Sequence, residues 1–298
     1  MRKALLIVNP TAGKMSGKTA LFDIISEFSA HHILVTTAIT NKRGDATEYA
    51  QKGDESREYD FIVCCGGDGT LNETLNGLIK SGGNTPLSYI PAGSTNDFAK
   101  SMNIPLEITA AARKIANNSE EIFLDIGSFC KNKIFSYIAS FGAFTSTSYS
   151  VPQNMKNSLG HFAYVLGGIM DVASIKPYHV TVNTSDKEFE GDYIFCAVSN
   201  SSSLGGVIKL NAENVSMVDG LFEVLAIKNP KNPNELHKIL WGIINGDFSD
   251  KEIFEYFKTD KITFNMPENV NWSLDGEYEE GKQVVEIENL HGKIRFLK

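Results

Sequence analysis

Five uninterrupted apolar residues, Phe61 to Cys65, run straight into Gly66-Gly67-Asp68-Gly69-Thr70, and no other stretch limits the fold of this chain as tightly. An apolar run of that length bounded by a turn signal reads as a strand buried on both faces. Glycines at 66, 67 and 69 permit positive φ angles and a close approach of backbone amides to a ligand, which makes a cradle rather than a longer strand. Thr70 with Glu73 three positions on matches a capping box, so the helix expected over Leu71 to Ile79 begins at the cradle, its dipole and free amides favouring an anion. Asp68 places a negative charge inside that anion site. This makes chemical sense when a divalent cation lies between the carboxylate and a phosphate, directly or through water. The string matches neither the GxxxxGKS/T phosphate loop nor the GxGxxG dinucleotide fingerprint.

The surrounding pattern repeats the same unit. Ala4 to Val8, Ile33 to Thr37 and Leu87 to Ile90 read as strands; Lys18 to Phe28 and Ala46 to Lys52 read as helices. Strands alternating with helices imply a largely parallel sheet covered on both faces, and such sheets bind ligands beyond the carboxyl ends of their strands. Three loops follow strands in this way: Asn9 to Lys14, Gly66 to Thr70 and Pro91 to Asp97. They are expected to converge on one crevice. Ser94, Thr95, Asn96 and Asp97 offer it hydroxyls, an amide and a carboxylate, though the same residue types serve as ordinary helix caps before Phe98. Lys14 reads either as a phosphate contact or as a solvated lysine.

After about Asp125 the rhythm changes to successive β-runs, at Ile122 to Phe129, Ile134 to Ile138, His179 to Asn183, Tyr193 to Ser199, Leu221 to Ile227, Ile262 to Asn265 and Val284 to Glu288. That is an antiparallel signature, interrupted by helical insertions near Ser158 to Ala173 and over Asn234 to Ile244, followed by Lys251 to Phe257. A chain of 298 residues exceeds what one core usually supports, so two domains are expected, divided near residues 126 and 127. The final run, Lys293 to Leu297, pairs with either. A net charge of -8 argues against a general nucleic-acid binder. Only five apolar residues follow Met1-Arg2-Lys3, too few for a secretory signal, so a cytoplasmic protein is expected. All four cysteines read as buried thiols. The longest apolar stretch, Phe162 to Ile175, contains Asp171 and is too short to span a membrane, and the segment Leu159 to Ile175, flanked by Lys156 and Lys176, reads as core, as a lid, or as an interfacial helix.

Six strings occur in order: Asn9 to Gly13, Thr36-Thr37 followed by Gly44-Asp45-Ala46, Gly66 to Glu73, Pro91 to Phe98, Val218-Asp219-Gly220-Leu221 and Leu274-Asp275-Gly276-Glu277. Together they resemble the diacylglycerol kinase catalytic family in its bacterial soluble lipid kinase branch, which is related to sphingosine and ceramide kinases. The resemblance implies an N-terminal three-layer α/β domain of the NAD kinase and diacylglycerol kinase type, spanning 1–126 and completed by a returning strand at 289–298. It implies an antiparallel, β-sandwich-like lipid-substrate domain over 127–288. ATP would be held by Asn9, Thr37, Gly66, Gly67, Asp68, Gly69, Thr70, Glu73, Gly93, Thr95 and Asn96. Asp68 would organise the catalytic Mg2+, Asp97 would neighbour it, and Glu277 would activate the acceptor hydroxyl. Asp219, with carbonyls of Ser216 and Leu221, would hold a separate structural metal. Ser94 departs from the family, where Thr or Gly is usual.

The implied partner is a lipid such as diacylglycerol, met by transient peripheral contact at the inner face of a membrane; the oligomeric state stays open, a homodimer included. On residues alone, Asp275-Gly276 is equally a hairpin turn with Glu279 and Glu280 in solvent, and Asp219-Gly220 is a turn signal. Two alternatives stand beside the lipid kinase. An NAD kinase shares the Gly66 to Thr70 string but is disfavoured by the Pro91 to Asp97 and Asp-Gly-Glu strings. A nucleotide sensor without catalysis would need Asp68, Asp97 and Glu277 to be inert.

Overall fold

A computed structural model describes residues 1–13, 20–117, 120–143, 176–204, 208–210 and 215–298. Lys14, the first two residues of the expected Lys18 to Phe28 helix, the helix near Ser158 to Ala173 and the segment Leu159 to Ile175 lie outside these residues. The chain forms two compact units, one made of Met1–Ile126 with His291–Lys298, the other of Gly127–Leu290.

In the first unit, strands β1 (Arg2–Val8), β2 (Ile33–Ile39), β3 (Phe61–Gly66) and β4 (Leu87–Pro91) alternate with helices α1 (Leu21–Ala30), α2 (Asp45–Ser56) and α3 (Asp68–Ser81). Helices α4 (Asp97–Ser101) and α5 (Ile108–Ala116) follow. The four strands are parallel in the order β2-β1-β3-β4. All of β3 and β4, and β1 from Ala4 to Val8, are buried, so both faces of the sheet need cover. The helices supply it. Ile24 and Phe28 of α1 are buried, and the Phe28 ring meets Phe61 edge-on. Gly77 lets α3 lie against the Thr47 backbone of α2: a Cβ there would sit 2.3 Å from the Thr47 carbonyl oxygen.

The remaining strands are β5 (Glu121–Phe129), β6 (Lys133–Phe135), β7 (Ile138–Gly142), β8 (Tyr178–Thr184), β9 (Glu188–Ser199), β10 (Ser203–Leu204), β11 (Ile208–Lys209), β12 (Phe222–Lys228), β13 (Phe254–Thr259), β14 (Lys261–Asn265), β15 (Trp272–Leu274), β16 (Glu277–Glu279) and β17 (Val284–Leu297). In the second unit every pairing is antiparallel, from β16-β15-β7-β9-β8-β14 to the first part of β17. One core cluster centres on Trp272, whose ring contacts Phe129, Phe141 and Phe264. A second cluster takes in Leu236, Ile239 and Ile243 of α6 (Pro233–Asn245), a helix capped by Asn232 accepting from the Glu235 amide.

Three expectations change. The single run Ile134 to Ile138 is split, because Ser136 and Tyr137 leave the ladder between β6 and β7. The helix over Lys251 to Phe257 is replaced by β13, which pairs with β12 from Phe222↔Thr259 to Ile227↔Phe254. Pairing along all six residues of β13 decides for a strand there. Of the cysteines, Cys64, Cys65 and Cys196 are buried, but Cys130 is only partly so. The last run is settled too. β17 continues past Val284–Glu288, and its Phe296 pairs in parallel with Leu87 of β4, so the terminus belongs to the first unit.

Asp54 fastens the end of α2 to the end of α3 and the start of β4. It is 2% exposed and accepts from Ser81 Oγ and the Thr85 amide, both at 2.6 Å. Burial opposes its ionisation, but the hydrogen bonds from Ser81, Thr85 and Asn84 outweigh it and hold the carboxyl below its ordinary range. Asp54→Ala is expected to lower the unfolding free energy by about 2–3 kcal/mol at neutral pH, measured by urea denaturation. Because the folded pKa lies below the unfolded one, that contribution is present above the unfolded value and fades as pH falls through the folded one. The gap between wild type and variant should therefore narrow below about pH 4. A gap that holds constant through that range contradicts the assignment.

Candidate active site

The loops at the carboxyl ends of β1, β3 and β4 are joined by bonds among the candidate residues themselves. The Asn9 amide donates to Cys65 O at 2.9 Å, and Asn9 Nδ2 donates to Thr70 Oγ1 at 2.9 Å. Asn9 Oδ1 accepts from the amide and hydroxyl of Thr11. Gly66 O accepts from the Ala92 amide at 2.7 Å. Asp68 reaches from the start of α3 to the start of α4, where its two oxygens accept from the amides of Asp97 at 3.2 Å and Phe98 at 3.3 Å. A carboxylate at a helix N-terminus satisfies amides that have no partner within the helix.

Glycine is required where these loops touch. A Cβ on Gly93 would fall 2.6 Å from Gly67 Cα, and one on Gly13, which has a φ of 55°, 2.6 Å from Ala92 O. At Gly69 the same atom would meet nothing within 4 Å, so that face of the cradle is open. Open backbone at a helix start is what a phosphate needs.

The side chain of Asn96 is engaged inside its own loop. Its φ of 50° is left-handed, and its amide group accepts from the Gly93 N–H at 2.9 Å and donates to Gly93 O at 2.9 Å. Asp97 is buried, with Lys100 Nζ 3.4 Å from Oδ1. Thr95 is half-buried, Ser94 is exposed, and Thr37 sits half-buried on β2 opposite Leu6. The expected capping box is absent. Helix α3 begins at Asp68, with Gly67 extended before it, so Thr70 already lies within the helix and its hydroxyl accepts from Asn9. Glu73 instead accepts from the Gly44 amide at 3.0 Å, tying α3 to the start of α2.

In the second unit Asp275 and Gly276 form the two-residue turn between β15 and β16, both at positive φ. That geometry is the hairpin type that Asp-Gly favours. Asp275 is nearly sealed from solvent, and its carboxylate accepts from the amides of Ser136, Tyr137 and Ile138 and from the Ser136 hydroxyl. Burial pushes its pKa up against those bonds. Glu277 follows as the first residue of β16 and is exposed. Of the two carboxylates flanking expected solvent, Glu279 is paired with Lys133 at 3.0 Å.

Asp219 is already engaged. Its Oδ2 lies 3.0 Å from Lys258 Nζ and its Oδ1 accepts from the Leu221 amide at 3.1 Å, while Ser216 Oγ accepts from the Val218 amide. Lys258 Nζ is also 3.0 Å from Glu223 Oε1. Burial pushes the Glu223 carboxyl up to about 7 despite that lysine. The Lys258 ammonium group thus lies between the carboxylates of Asp219 and Glu223.

Tyr89, Lys258 and Glu223 carry no motif, and sequence reasoning passed over them. The signal for Tyr89 was a phenol inside an otherwise buried strand that runs into a candidate loop; a lone buried hydroxyl needs a partner.

Comparison with known proteins finds two family matches along the chain. Residues 3–128 match the diacylglycerol kinase catalytic domain, and residues 140–297 match the YegS C-terminal NAD kinase beta sandwich-like domain. The chain is 34% identical to a diacylglycerol kinase of Bacillus subtilis (strain 168) over 278 residues, which cover 93% of this chain and 90% of that one. It is 30% identical over 277 residues to a diacylglycerol kinase of Staphylococcus epidermidis (strain ATCC 12228 / FDA PCI 1200), covering 93% and 86%. A solved structure of a candidate diacylglycerol kinase from Bacillus anthracis str. Sterne is similar with a TM-score of 0.83 at 27% identity, covering 99% of this chain and 95% of that one. Joined to the glycine cradle and the Asp68 contacts, this likeness along nearly the whole length places the chain in the diacylglycerol kinase catalytic family.

Proposed function

We propose that this protein transfers the γ-phosphoryl group of ATP to the free hydroxyl of diacylglycerol or a related lipid, in a Mg2+-dependent reaction. One observation carries the reading: the Asp68 carboxylate bonds the amides that open α4 while its own helix opens at the glycine cradle, so carboxylate and phosphate-binding backbone share one place. The amides of Gly67 and Gly69 bind phosphate oxygens, and the open side of Gly69 admits them. Asp68 and Asp97 supply carboxylate oxygens, the donors a hard divalent ion takes, and would hold Mg2+. When bound, the ion neutralises charge on the transferred group. Asn9, Thr70, Glu73 and Asn96 keep the loops in register through the bonds described above, and Thr37 and Thr95 flank the nucleotide.

Glu277 of the second unit takes the proton of the acceptor hydroxyl. A new P–O bond then forms to the lipid oxygen, the bond to the departing ADP oxygen breaks, and the proton passes from Glu277 to solvent. Asp275 serves this step indirectly, by fixing the turn from which Glu277 projects. No helix among the described residues is long and apolar enough to cross a membrane, and on this reading the lipid is met by peripheral contact.

The decisive assay offers labelled ATP and a panel of hydroxyl lipids beside NAD, with products read by mass spectrometry. Label on a diacylglycerol-like lipid and none on NAD is expected; label on NAD alone overturns the lipid acceptor. Asp68→Asn, which retains one acceptor for the α4 amides, should lower kcat by about 10³-fold or more with little change in melting temperature. Full activity in that variant removes the metal role of Asp68. Glu277→Gln is expected to lower kcat by about 10²- to 10⁴-fold. Activity equal to wild type would move the base elsewhere.

A further inference from the structure

We infer that Tyr89 is a positioning residue of the phosphate site, its buried hydroxyl setting the register between the glycine cradle and the loop that carries Asp97. The residue is 1% exposed, and its hydroxyl lies 3.0 Å from Gly66 O and 3.3 Å from Asn96 Oδ1. Both partners are acceptors, so they share the one proton the phenol has to give. Burial, and after it the charge of Asp68, raise the phenol pKa well above its ordinary value and keep it a donor.

Neither acceptor depends on Tyr89 alone. Gly66 O also accepts from the Ala92 amide, and Asn96 Oδ1 from the Gly93 amide. Removing the hydroxyl therefore orphans nothing, and a phenylalanine keeps the edge-on ring contact with Phe98. What disappears is the bond that joins the end of β3 directly to Asn96. Asn96 in turn holds Gly93 at both its N–H and its carbonyl, and Gly93 backs onto Gly67. One hydroxyl thus links the backbone that would take phosphate to the loop whose next two amides Asp68 accepts.

The kinetic half of this inference rests on the kinase reading; the structural half does not. Tyr89→Phe is examined by hydrogen exchange on the protein without nucleotide and by steady-state kinetics. The amides of Gly93, Asp97 and Phe98 should exchange about fivefold faster or more, while those of Ile7 and Cys64 stay as in wild type. The melting temperature should fall by less than about 3 °C. The variant's kcat should drop by about tenfold with nucleotide Kd changed by less than about threefold, the mark of misplacement rather than lost binding. Asn96→Gly, which tolerates the left-handed backbone and removes the amide group, should speed exchange at the same positions.

Exchange within about twofold of wild type in Tyr89→Phe overturns the link, whatever the activity. Faster exchange with unchanged kcat overturns the positioning role, and so does a large fall in melting temperature with normal kcat at low temperature. A wild-type protein that phosphorylates no lipid overturns the kinase reading instead, and the exchange result alone then decides the link.

Discussion

The two hydrogen bonds from the amides of Asp97 and Phe98 to Asp68 are the constraint on which the rest of the first unit depends. They require α3 to begin at residue 68, three residues earlier than a capping box at Thr70 would place it, and they require α4 to begin within reach of β3. Both conditions are met because β3 and β4 are parallel neighbours with Gly66 opposite Pro91, so the loops leave the sheet side by side. The close approach of Gly67 and Gly93 follows from this spacing, as side chains there would push the loops apart. A carboxylate satisfied by backbone amides is also fixed in direction, and fixed direction is what catalysis by charge and position demands.

Much of this was legible in the sequence for a simple reason: local chemistry decided it. The run Phe61 to Cys65 had no polar residue to face solvent, so a doubly covered parallel strand was the only economical reading, and the glycines after it had no packing use in a strand. The turn at Asp275-Gly276 was legible because few residue pairs accept positive φ at both positions. What escaped was set by partners far along the chain. Glu73 had the spacing of a cap but bonds Gly44, 29 positions away. Asp275 had the look of a surface turn, yet it gathers donors from Ser136 to Ile138, and this is what splits the expected strand there. The β13 strand was mistaken for helix because its aromatic residues and charges fit either period; its pairing with β12 decides the matter.

The candidate site residues divide by use. Asn9 joins its loop to α3 through Thr70, Glu73 joins α3 to the start of α2, and Asn96 holds Gly93 within its own loop. On the proposed reading the backbone around Gly67 and Gly69 binds the anion, with Asp68 and Asp97 as the carboxylates beside it. In the second unit Asp219 belongs to a charged cluster. Lys258 bridges Asp219 and the buried Glu223, a contact between residues far apart in sequence that no motif marks. Burial still costs Glu223 more than Lys258 returns, which is why its carboxyl is pushed up to about 7.

The central claim is that the cradle after β3 and the loop after β4 act together on nucleotide phosphates. Backbone amide resonances followed during titration with ATP and Mg2+ test it most directly. The largest shifts should fall at Gly67, Asp68, Gly69, Thr70 and Gly93, with Ile262 to Asn265 of the second unit unmoved. Saturating binding that shifts other amides while leaving both loops still would contradict the account.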